Sequence, residues 1–347
     1  MAADTASNGA HGTETTWLRP GLVGGQDLAD VRLDTALFDV DGVLIDTQRS
    51  YRLAVMCGSE RLVRALGLDP PSPMVTQEDI AAFKLAGGFN NDWDLTRCFA
   101  ALWTARLREW HGRPFARLTP QDWAARAALA TQAGRGGITW VRSTFPATAI
   151  PTSEQARWAH DEFYWGAAEV RALFGHEPLY APEARGFVAN EELLLDSGAL
   201  QALAALGITH LGLITGRVGP EVDRAVQALV KHVAPESAAS PWHESAFGRS
   251  PFGSIVPATV YAKPDPRALL LALRDVGARA AVYVGDTADD LELVLRYRRE
   301  SRAADPTLPP VLAVMVALGE TARAYQARGA DIIVRHVREL AAALALL

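Results

Sequence analysis

Apolar and polar positions follow two periodicities along the chain, and together they predict an α/β protein. Short apolar runs, typical of buried parallel strands, occupy residues 35–38, 208–214, 280–284, 311–316 and 331–334. After most of these runs the apolar residues recur at helical spacing. Because strands that alternate with helices form parallel sheets, this pattern predicts an α/β fold built on a parallel sheet.

A long block without strand-like runs separates the first strand from the others. Between residues 76 and 175 the pattern is helical, with helix-start signals at Thr76, Thr119 and Thr152. The last signal predicts one long helix that ends at Phe174. A helical block inside an α/β pattern indicates an inserted second domain. We therefore expect a flexible lead-in over residues 1–33, a core over 34–47 and 191–347, and a cap over 48–190.

The region between the second and third core helices predicts a loop and then a strand. Residues 234–257 contain several Pro, Ser and Gly residues, which favours a long loop. Val260, Tyr261 and Ala262 predict a short strand directly before Lys263.

Composition and charge exclude several classes of function. The formal net charge of -6 argues against a dedicated nucleic-acid surface, which is normally basic. No run approaches the roughly 18 apolar residues of a membrane span, and the first 25 residues lack the pattern of a secretory signal. Two cysteines provide no disulfide framework, which favours a cytoplasmic protein.

The first apolar run ends in two carboxylates, Asp39 and Asp41, followed by Gly42. Because alternate residues of an extended segment face the same side, both aspartates point toward one volume. Two like charges at such a short distance require a cation between them or a shared proton. Ligands of open α/β sheets bind beyond the carboxyl ends of the strands, so we expect chemistry here. The alternative is a strand followed by an ordinary Asp-Gly turn.

Four strand-end motifs in this order resemble the haloacid dehalogenase superfamily of hydrolases. They are Asp39-Val-Asp-Gly-Val-Leu44, Leu213-Ile-Thr-Gly-Arg217, Lys263-Pro-Asp-Pro266 and Gly285-Asp-Thr-Ala-Asp-Asp290. The resemblance covers about residues 34–340 and implies a doubly wound, Rossmann-like core. The helical block is similar to the cap of subfamily IA, and residues 83–95 resemble a poorly characterised clade of phosphatases in it.

The resemblance implies roles for the aspartates. Asp39 would be the nucleophile and would form an aspartyl-phosphate, while Asp41 would act as general acid and then general base. The Asp39 side chain, the Asp41 carbonyl and Asp286 would hold a metal ion. Asp290, with Asp289 as the alternative, would support this ion. Oxygen ligands of this kind point to Mg²⁺.

The remaining candidates would bind the substrate. Thr215 and the backbone N–H groups of Gly216 and Arg217 would hold the phosphoryl oxygens, and Lys263 would neutralise charge in the transition state. Candidates for recognition in the cap are Lys84, Asn90, Asn91 and Trp93. The alternative for the cap is that Trp93 lies in the core and the Asn pair forms a turn. Ser50, Tyr51 and Arg52 follow the first motif closely enough to reach the cleft.

The function that follows is a Mg²⁺-dependent phosphatase acting on a small phosphorylated metabolite. Three alternatives stay open: a phosphonatase that forms a Schiff base at Lys84, a sugar phosphomutase, and a non-catalytic metabolite-binding protein on the same fold.

Overall fold

The computed structural model describes residues 16–22, 32–89, 91–108, 118–233, 244–245, 248–249 and 251–347. Its strands are β1 Trp17–Leu18, β2 Thr35–Phe38, β3 Ile45–Asp46, β4 Glu192–Leu193, β5 His210–Thr215, β6 Glu244–Ser245, β7 Gly248–Arg249, β8 Phe252–Pro257, β9 Ala281–Gly285, β10 Val311–Val316 and β11 Ile332–Val334.

The α-helices are α1 Tyr51–Ala65, α2 Gln77–Ala86, α3 Asp92–Leu107, α4 Pro120–Gln132, α5 Gly137–Thr144, α6 Ser153–Trp165, α7 Ala167–Phe174, α8 Ser197–Ala205, α9 Pro220–Val233, α10 Arg267–Val276, α11 Ala288–Arg296, α12 Gly319–Arg328 and α13 Leu340–Leu344. No helix in these described ranges has the length and apolar character that a membrane crossing requires.

The central sheet has seven strands in the order β1-β11-β10-β9-β2-β5-β8. All neighbours pair in parallel except β1, which runs antiparallel to β11. The chain moves from β2 to one side of the sheet and later returns to the other side at β9. The strand order therefore reverses between β2 and β9, which is the doubly wound arrangement predicted from the motifs.

Both faces of the sheet are buried, as the unbroken apolar strands predict. Phe38 and Val284 pack into the apolar cluster of one face, and Leu37 and Tyr283 pack into that of the other. Successive strand residues point to opposite faces, so each strand contributes to both clusters.

The segment between β3 and β4 builds its own apolar interior. Helices α1 to α6 share a cluster that contains Phe83, Phe99, Trp123 and Trp140. Among the described residues between 76 and 175 there is no strand. Thr76, Thr119 and Thr152 each form a capping box, as their spacing predicts.

A two-stranded antiparallel ribbon joins the two parts of the chain. In it β3 pairs with β4, with Ile45 opposite Leu193 and Asp46 opposite Glu192. The chain thus leaves the sheet and returns to it side by side. We propose this ribbon as the boundary between core and cap.

The strand that pairs with β5 at the edge of the sheet lies at a different place in the sequence from the strand predicted there. The strand is β8, which lies inside the predicted loop 234–257, whereas Val260, Tyr261 and Ala262 are not in a strand and Val260 is half exposed. Because β8 is an edge strand, its burial alternates and it tolerates Gly and Pro, so its sequence looked like a loop. Residues 234–243 lie outside the described ranges.

Two further predictions were wrong in detail. The long helix that starts after Thr152 is two helices, because the chain breaks at Gly166 with φ of 86°. The lead-in is not loose throughout: Trp17–Leu18 pairs with β11, and Leu22 is buried in the core. Residues 1–15 and 23–31 lie outside the described ranges.

Candidate active site

The predicted site residues follow parallel strands whose carboxyl ends lie together at one end of the sheet. Asp39 follows β2, Asp286 follows β9, and Thr215 ends β5. Strands β2 and β9 flank the point where the strand order reverses, and ligands of doubly wound sheets bind at this point. Backbone pairing fixes the position of Asp39, since its N–H donates to the carbonyl of Val284 at 2.8 Å.

Asp39, Lys263 and Asp290 form a buried ion triad beneath the cleft. Lys263 Nζ lies 2.7 Å from Asp39 Oδ2 and 2.7 Å from Asp290 Oδ1. The Lys263 side chain is 1% exposed, so water screens these contacts little. The other oxygen of Asp39 accepts from Val40 N at 2.7 Å. The triad holds the Asp39 carboxylate in one orientation.

Burial and charge act against each other in the triad. Burial raises the pKa of Asp39 well above its usual range; Lys263 opposes this shift, and the neighbouring carboxylates add to it. Burial alone would lower the pKa of Lys263, but Asp290 and Asp39 outweigh it and raise the value. Burial alone would likewise raise the pKa of Asp290, but Lys263 and hydrogen bonds outweigh it, and the pKa is lowered. The site concentrates negative charge around a single buried ammonium.

Asp286 presents an unused oxygen next to this triad. Its Oδ1 is buried and has no hydrogen-bond partner among the described residues. Burial, and then Asp290, raise the pKa of Asp286 to about 7. Gly42, with φ of 76°, makes room for it, because a Cβ at this position would lie 2.1 Å from Asp286 Oδ2. One oxygen from each of Asp39, Asp286 and Asp290 lies within 4.8 Å of the others.

The structure distinguishes the surroundings of Asp289 from those of Asp290, which their spacing in the sequence could not do. Asp290 is fully buried and accepts from Lys263 Nζ, Tyr283 Oη and Thr287 Oγ1 at 2.6 to 2.7 Å. Asp289 points instead toward the helical segment, where its Oδ1 accepts from Gly88 N at 3.5 Å. Asp290 therefore belongs to the carboxylate cluster, and Asp289 forms a contact across the cleft.

Asp41 is held by the side chain of Arg217, a residue for which the sequence predicted only a backbone N–H role. Arg217 Nε and Nη2 donate to Asp41 Oδ1 at 2.9 and 2.8 Å. Arg217 is 1% exposed, and its Nη2 also donates to Glu191 Oε1 at 3.0 Å. Tyr164 Oη donates to the same Glu191 oxygen at 2.9 Å. Asp41 is thus tied through Arg217 to the segment next to the ribbon.

The predicted phosphate-binding turn follows β5. Thr215 is buried, and its Oγ1 accepts from Arg217 N at 3.1 Å, so that N–H group is already engaged. Gly216 lines the cleft directly. Of the two predicted backbone donors, Gly216 N is the better placed for an anion.

The cleft itself has an empty volume of about 720 Å³, including the part that opens to solvent. Asp39, Asp41 and Asp286 lie on its core side. Of the predicted cap residues, Lys84, Asn91 and Trp93 line the opposite wall, and Asn90 lies outside the described residues.

The cap candidates make their own contacts. Asn91 Oδ1 caps α3 by accepting from Trp93 N at 2.9 Å. Trp93 Nε1 donates to Asp161 Oδ1 at 2.7 Å, and Lys84 Nζ lies 3.2 Å from Asp92 Oδ1. Asn91 therefore has a structural role in addition to its position on the cleft wall.

Several residues of the cleft carried no signal in the sequence. Tyr51 and Arg52 line it, as their position after the first motif suggested, but so do His160 and Glu221. His160 lies in the middle of α6, and Glu221 lies in the first turn of α9, where acids are common for reasons of helix polarity. Only the packing of α6 beside α1 and opposite the β5 turn reveals them.

Comparisons with known proteins agree with this geometry. A family model described as haloacid dehalogenase-like hydrolase matches residues 33–293, which is more than half of the chain. Imidazoleglycerol-phosphate dehydratase from Phytophthora nicotianae is 26% identical over 257 residues, which is 74% of this chain and 39% of that relative. The chain thus spans well under half the length of that relative.

Among solved structures, phosphatase Tt82 from Thermococcus thioreducens is similar to this chain. The TM-score is 0.54 and the identity is 23%, with 90% of this chain and 98% of the other covered. At this level of identity, the similarity shows a shared fold.

Proposed function

This chain belongs to the haloacid dehalogenase-like hydrolases, and from that premise we propose that it is a Mg²⁺-dependent phosphatase of a small phosphorylated metabolite. The observation that carries the proposal is the convergence of Asp39, Lys263 and Asp286 at the base of one cleft. A fixed carboxylate, a buried cation and an unpartnered carboxylate oxygen are the groups that phosphoryl transfer through a covalent intermediate requires.

In the first step, an oxygen of Asp39 attacks phosphorus and the bond from phosphorus to the ester oxygen breaks. Asp41 gives its proton to the leaving alkoxide, which departs as an alcohol. In the second step, Asp41 takes a proton from water while the water oxygen attacks the aspartyl-phosphate. The phosphorus–Asp39 bond breaks, which releases inorganic phosphate and restores both aspartates. Lys263 and the Gly216 N–H group offset negative charge on the phosphoryl oxygens.

The residues fit a divalent cation, because the unpartnered Oδ1 of Asp286 faces the cluster that contains Asp39. The two carboxylates and the Asp41 carbonyl would hold Mg²⁺, since this ion prefers oxygen ligands together with waters and substrate phosphate. Once bound, the ion supplies charge neutralisation and orientation of the phosphoryl group. Asp290 already accepts from Lys263, Tyr283 and Thr287, so we assign it to holding Lys263 and supporting the metal through water.

The cleft is concave and is lined by polar side chains that converge on the carboxylates, as sites for small molecules usually are. The name of the Phytophthora relative refers to a phosphate ester that carries an imidazole ring. We therefore propose imidazole-bearing alkyl phosphates as the first esters to test, together with sugar phosphates and an aryl phosphate.

The test is release of inorganic phosphate from this panel by the wild type and by Asp39→Asn. We expect Mg²⁺-dependent turnover that EDTA abolishes and added Mg²⁺ restores, and a loss of roughly 10³-fold or more in the variant. Asp223→Asn, which changes an exposed acid on α9, is the matched control and should retain full activity. Equal turnover by Asp39→Asn and wild type would contradict the proposal.

The same panel separates the alternative reactions. Isomerised product in place of released phosphate would indicate a phosphomutase. A phosphonatase would require Lys84 to form a Schiff base, but Lys84 is ion-paired with Asp92 at 3.2 Å, and a Schiff base would break this pair. Borohydride reduction in the presence of a carbonyl-bearing phosphonate would label Lys84 if it reacted in this way.

A further inference from the structure

One wall of the cleft carries buried polar groups that the proposed chemistry does not use. His160 Nε2 is buried without a hydrogen-bond partner among the described residues, and the side chains of His160 and Tyr51 both line the cleft. Tyr51 is 5% exposed and His160 is fully buried. A buried polar atom without a partner costs free energy, so this nitrogen on the cleft wall points to a ligand that satisfies it.

The contacts of His160 define which hydrogen-bonding role its free nitrogen plays. His160 Nδ1 lies 3.0 Å from Asp161 Oδ1, and Asp161 also accepts from Trp93 Nε1 at 2.7 Å. An ionised carboxylate only accepts, so Nδ1 is the donor in this pair. In the neutral ring, Nε2 then offers a lone pair to the cleft. His160 and Tyr51 stack with ring centroids 5.6 Å apart, which holds both polar atoms on the same wall.

Glu221 adds a carboxylate to this wall. It is 7% exposed, its Oε2 has a long contact of 3.4 Å with Val218 N, and it also interacts with the Tyr51 hydroxyl. Burial, and then Asp161, raise the pKa of Glu221 to about 7, although Arg217 and the Tyr51 hydroxyl lower it. Arg217 does not compensate Glu221 fully, because Asp41 and Glu191 share its guanidinium. The wall therefore has an excess of acceptors and of negative charge.

Lys84 and Arg52 lie at the phosphoryl end of the cleft, whereas Arg217 lies over the Tyr51 ring and is ion-paired with Asp41 and Glu191. Lys84 and Arg52 both lower the pKa of Asp286, after the larger upward effects of burial and Asp290. The cleft has a cationic end next to the phosphoryl site and an acceptor-rich aromatic wall beyond it.

We propose that Tyr51 Oη, His160 Nε2 and the Glu221 carboxylate form a subsite for a protonated amine or imidazolium group on the alcohol part of the substrate. The inference rests on the proposed phosphatase function and names its substrate class. An ammonium or imidazolium donates charge-assisted hydrogen bonds to acceptors such as the Glu221 carboxylate. A neutral group would make no charge-assisted hydrogen bond to Glu221, and an anionic group would be repelled by it.

The test compares esters of equal shape that differ in one group. 3-Aminopropyl phosphate and n-butyl phosphate differ by an ammonium in place of a methyl group, and 2-(imidazol-4-yl)ethyl phosphate and 2-phenylethyl phosphate form a second pair. Hydrogen bonds to charged groups are typically strong enough for tenfold or greater discrimination. We expect wild-type kcat/KM to be at least about tenfold higher for the cationic member of at least one pair.

The variants assign this preference to the wall. Glu221→Gln should reduce the selectivity ratio by about tenfold while changing kcat/KM for the neutral ester by less than about threefold, since a neutral ester offers no charged donor to the carboxylate. Tyr51→Phe removes one hydroxyl and should lower the ratio by a smaller factor. Asp223→Asn, on the same helix as Glu221 but exposed, should leave the ratio unchanged.

Each contrary outcome has a distinct meaning. If wild type hydrolyses the neutral member of each pair as fast as the cationic one, the subsite is overturned and the phosphatase proposal stands. If Glu221→Gln lowers both members equally, its role is structural and the subsite is overturned as well. If no ester of the full panel is hydrolysed with Mg²⁺, the proposed function fails and the inference fails with it.

Discussion

Arg217 shows how one buried side chain organises the acid and base chemistry of the cleft. Burial alone would lower its pKa, but Asp41, Tyr51, Tyr164 and Glu191 outweigh burial and raise it. The guanidinium remains charged and donates twice to Asp41 Oδ1. A planar fork of this kind fixes the direction of a carboxylate as well as its charge. We therefore regard Arg217 as a positioning residue for Asp41.

Arg217→Lys tests this role, because it keeps the charge and removes the fork. We expect kcat/KM for alkyl phosphates to fall about 10²-fold, and for an aryl phosphate with a good leaving group by less than about tenfold, since only a poor leaving group needs the Asp41 proton. Kinetics with both esters provide the measurement. Arg274→Lys, at an arginine that is 76% exposed, is the matched control. An equal loss for both esters would argue that Arg217 acts only through stability.

The raised pKa of Glu221 predicts how the stability of the fold depends on pH. Its pKa is about 7 in the folded protein against 4.5 when unperturbed, chiefly because of burial. Below about pH 4.5 both folded and unfolded states hold the proton; as pH rises toward 7, only the unfolded state loses it readily, so stability falls. Glu221→Gln removes this pH-dependent loss of stability, because glutamine does not ionise. Relative to wild type it should gain about 3 kcal/mol in free energy of unfolding between pH 4.5 and 7.5.

Urea unfolding at a series of pH values measures this gain. Asp223→Asn is again the control, and its difference from wild type should vary little with pH because Asp223 is exposed. A pH-independent difference for Glu221→Gln would show that the carboxylate is stabilised by contacts other than those described.

At the scale of secondary structure, the break between α6 and α7 brings the chain into close contact with residues 185–186. Gly166 has φ of 86°, and a Cβ there would lie 2.6 Å from the backbone of Arg185 and Gly186. The chain turns at this close contact, and α6 ends with Tyr164 and Trp165 buried. A continuous helix to Phe174 would not place the 185–186 segment against this turn.

Gly166→Ala should therefore lower the free energy of unfolding by more than about 2 kcal/mol, because strain at positive φ and backbone overlap act together. Gly175→Ala is the matched control: its φ is 70°, but the space around it is open. It should cost only about 1 kcal/mol. Urea unfolding of both variants is the measurement, and equal losses would show that the contact with residues 185–186 is unimportant.

At the scale of the whole molecule, the cleft lies between two bodies with separate apolar interiors. One interior covers both faces of the sheet, and the other fills the helical segment. Across the cleft, Gly88 N donates to Asp289 Oδ1 at 3.5 Å, which is a weak contact. Two bodies joined by a ribbon and weak contacts are suited to close over a substrate.

Hydrogen exchange tests closure directly. With Mg²⁺ and vanadate as a phosphate analogue, we expect slower exchange in the amides around Lys84 and Trp93 and in the β3–β4 ribbon than with Mg²⁺ alone. Helix α13, none of whose residues lines the cleft, should exchange at the same rate in both conditions. Identical exchange of the ribbon with and without vanadate would contradict closure.

The sequence by itself determined the α/β class, most core strands and the aspartates at their ends. Asp39 and Asp286 were identifiable because a buried apolar run that stops at a carboxylate is a local pattern, and parallel strands bring such ends to one edge. The capping boxes at Thr76, Thr119 and Thr152 were local in the same way. The edge strand β8 and the break at Gly166 were missed, because an edge strand tolerates loop-like residues and a glycine alone does not reveal its neighbour.

Only the tertiary structure decided the partners of these groups. Arg217 and Asp41 are 176 positions apart, and nothing local to either predicts their ion pair. The choice between Asp289 and Asp290 depended on which way each side chain points from α11. The wall of Tyr51, His160 and Glu221 is assembled from three helices. The substrate preference proposed for it depends on contacts that close packing creates and that no single stretch of sequence contains.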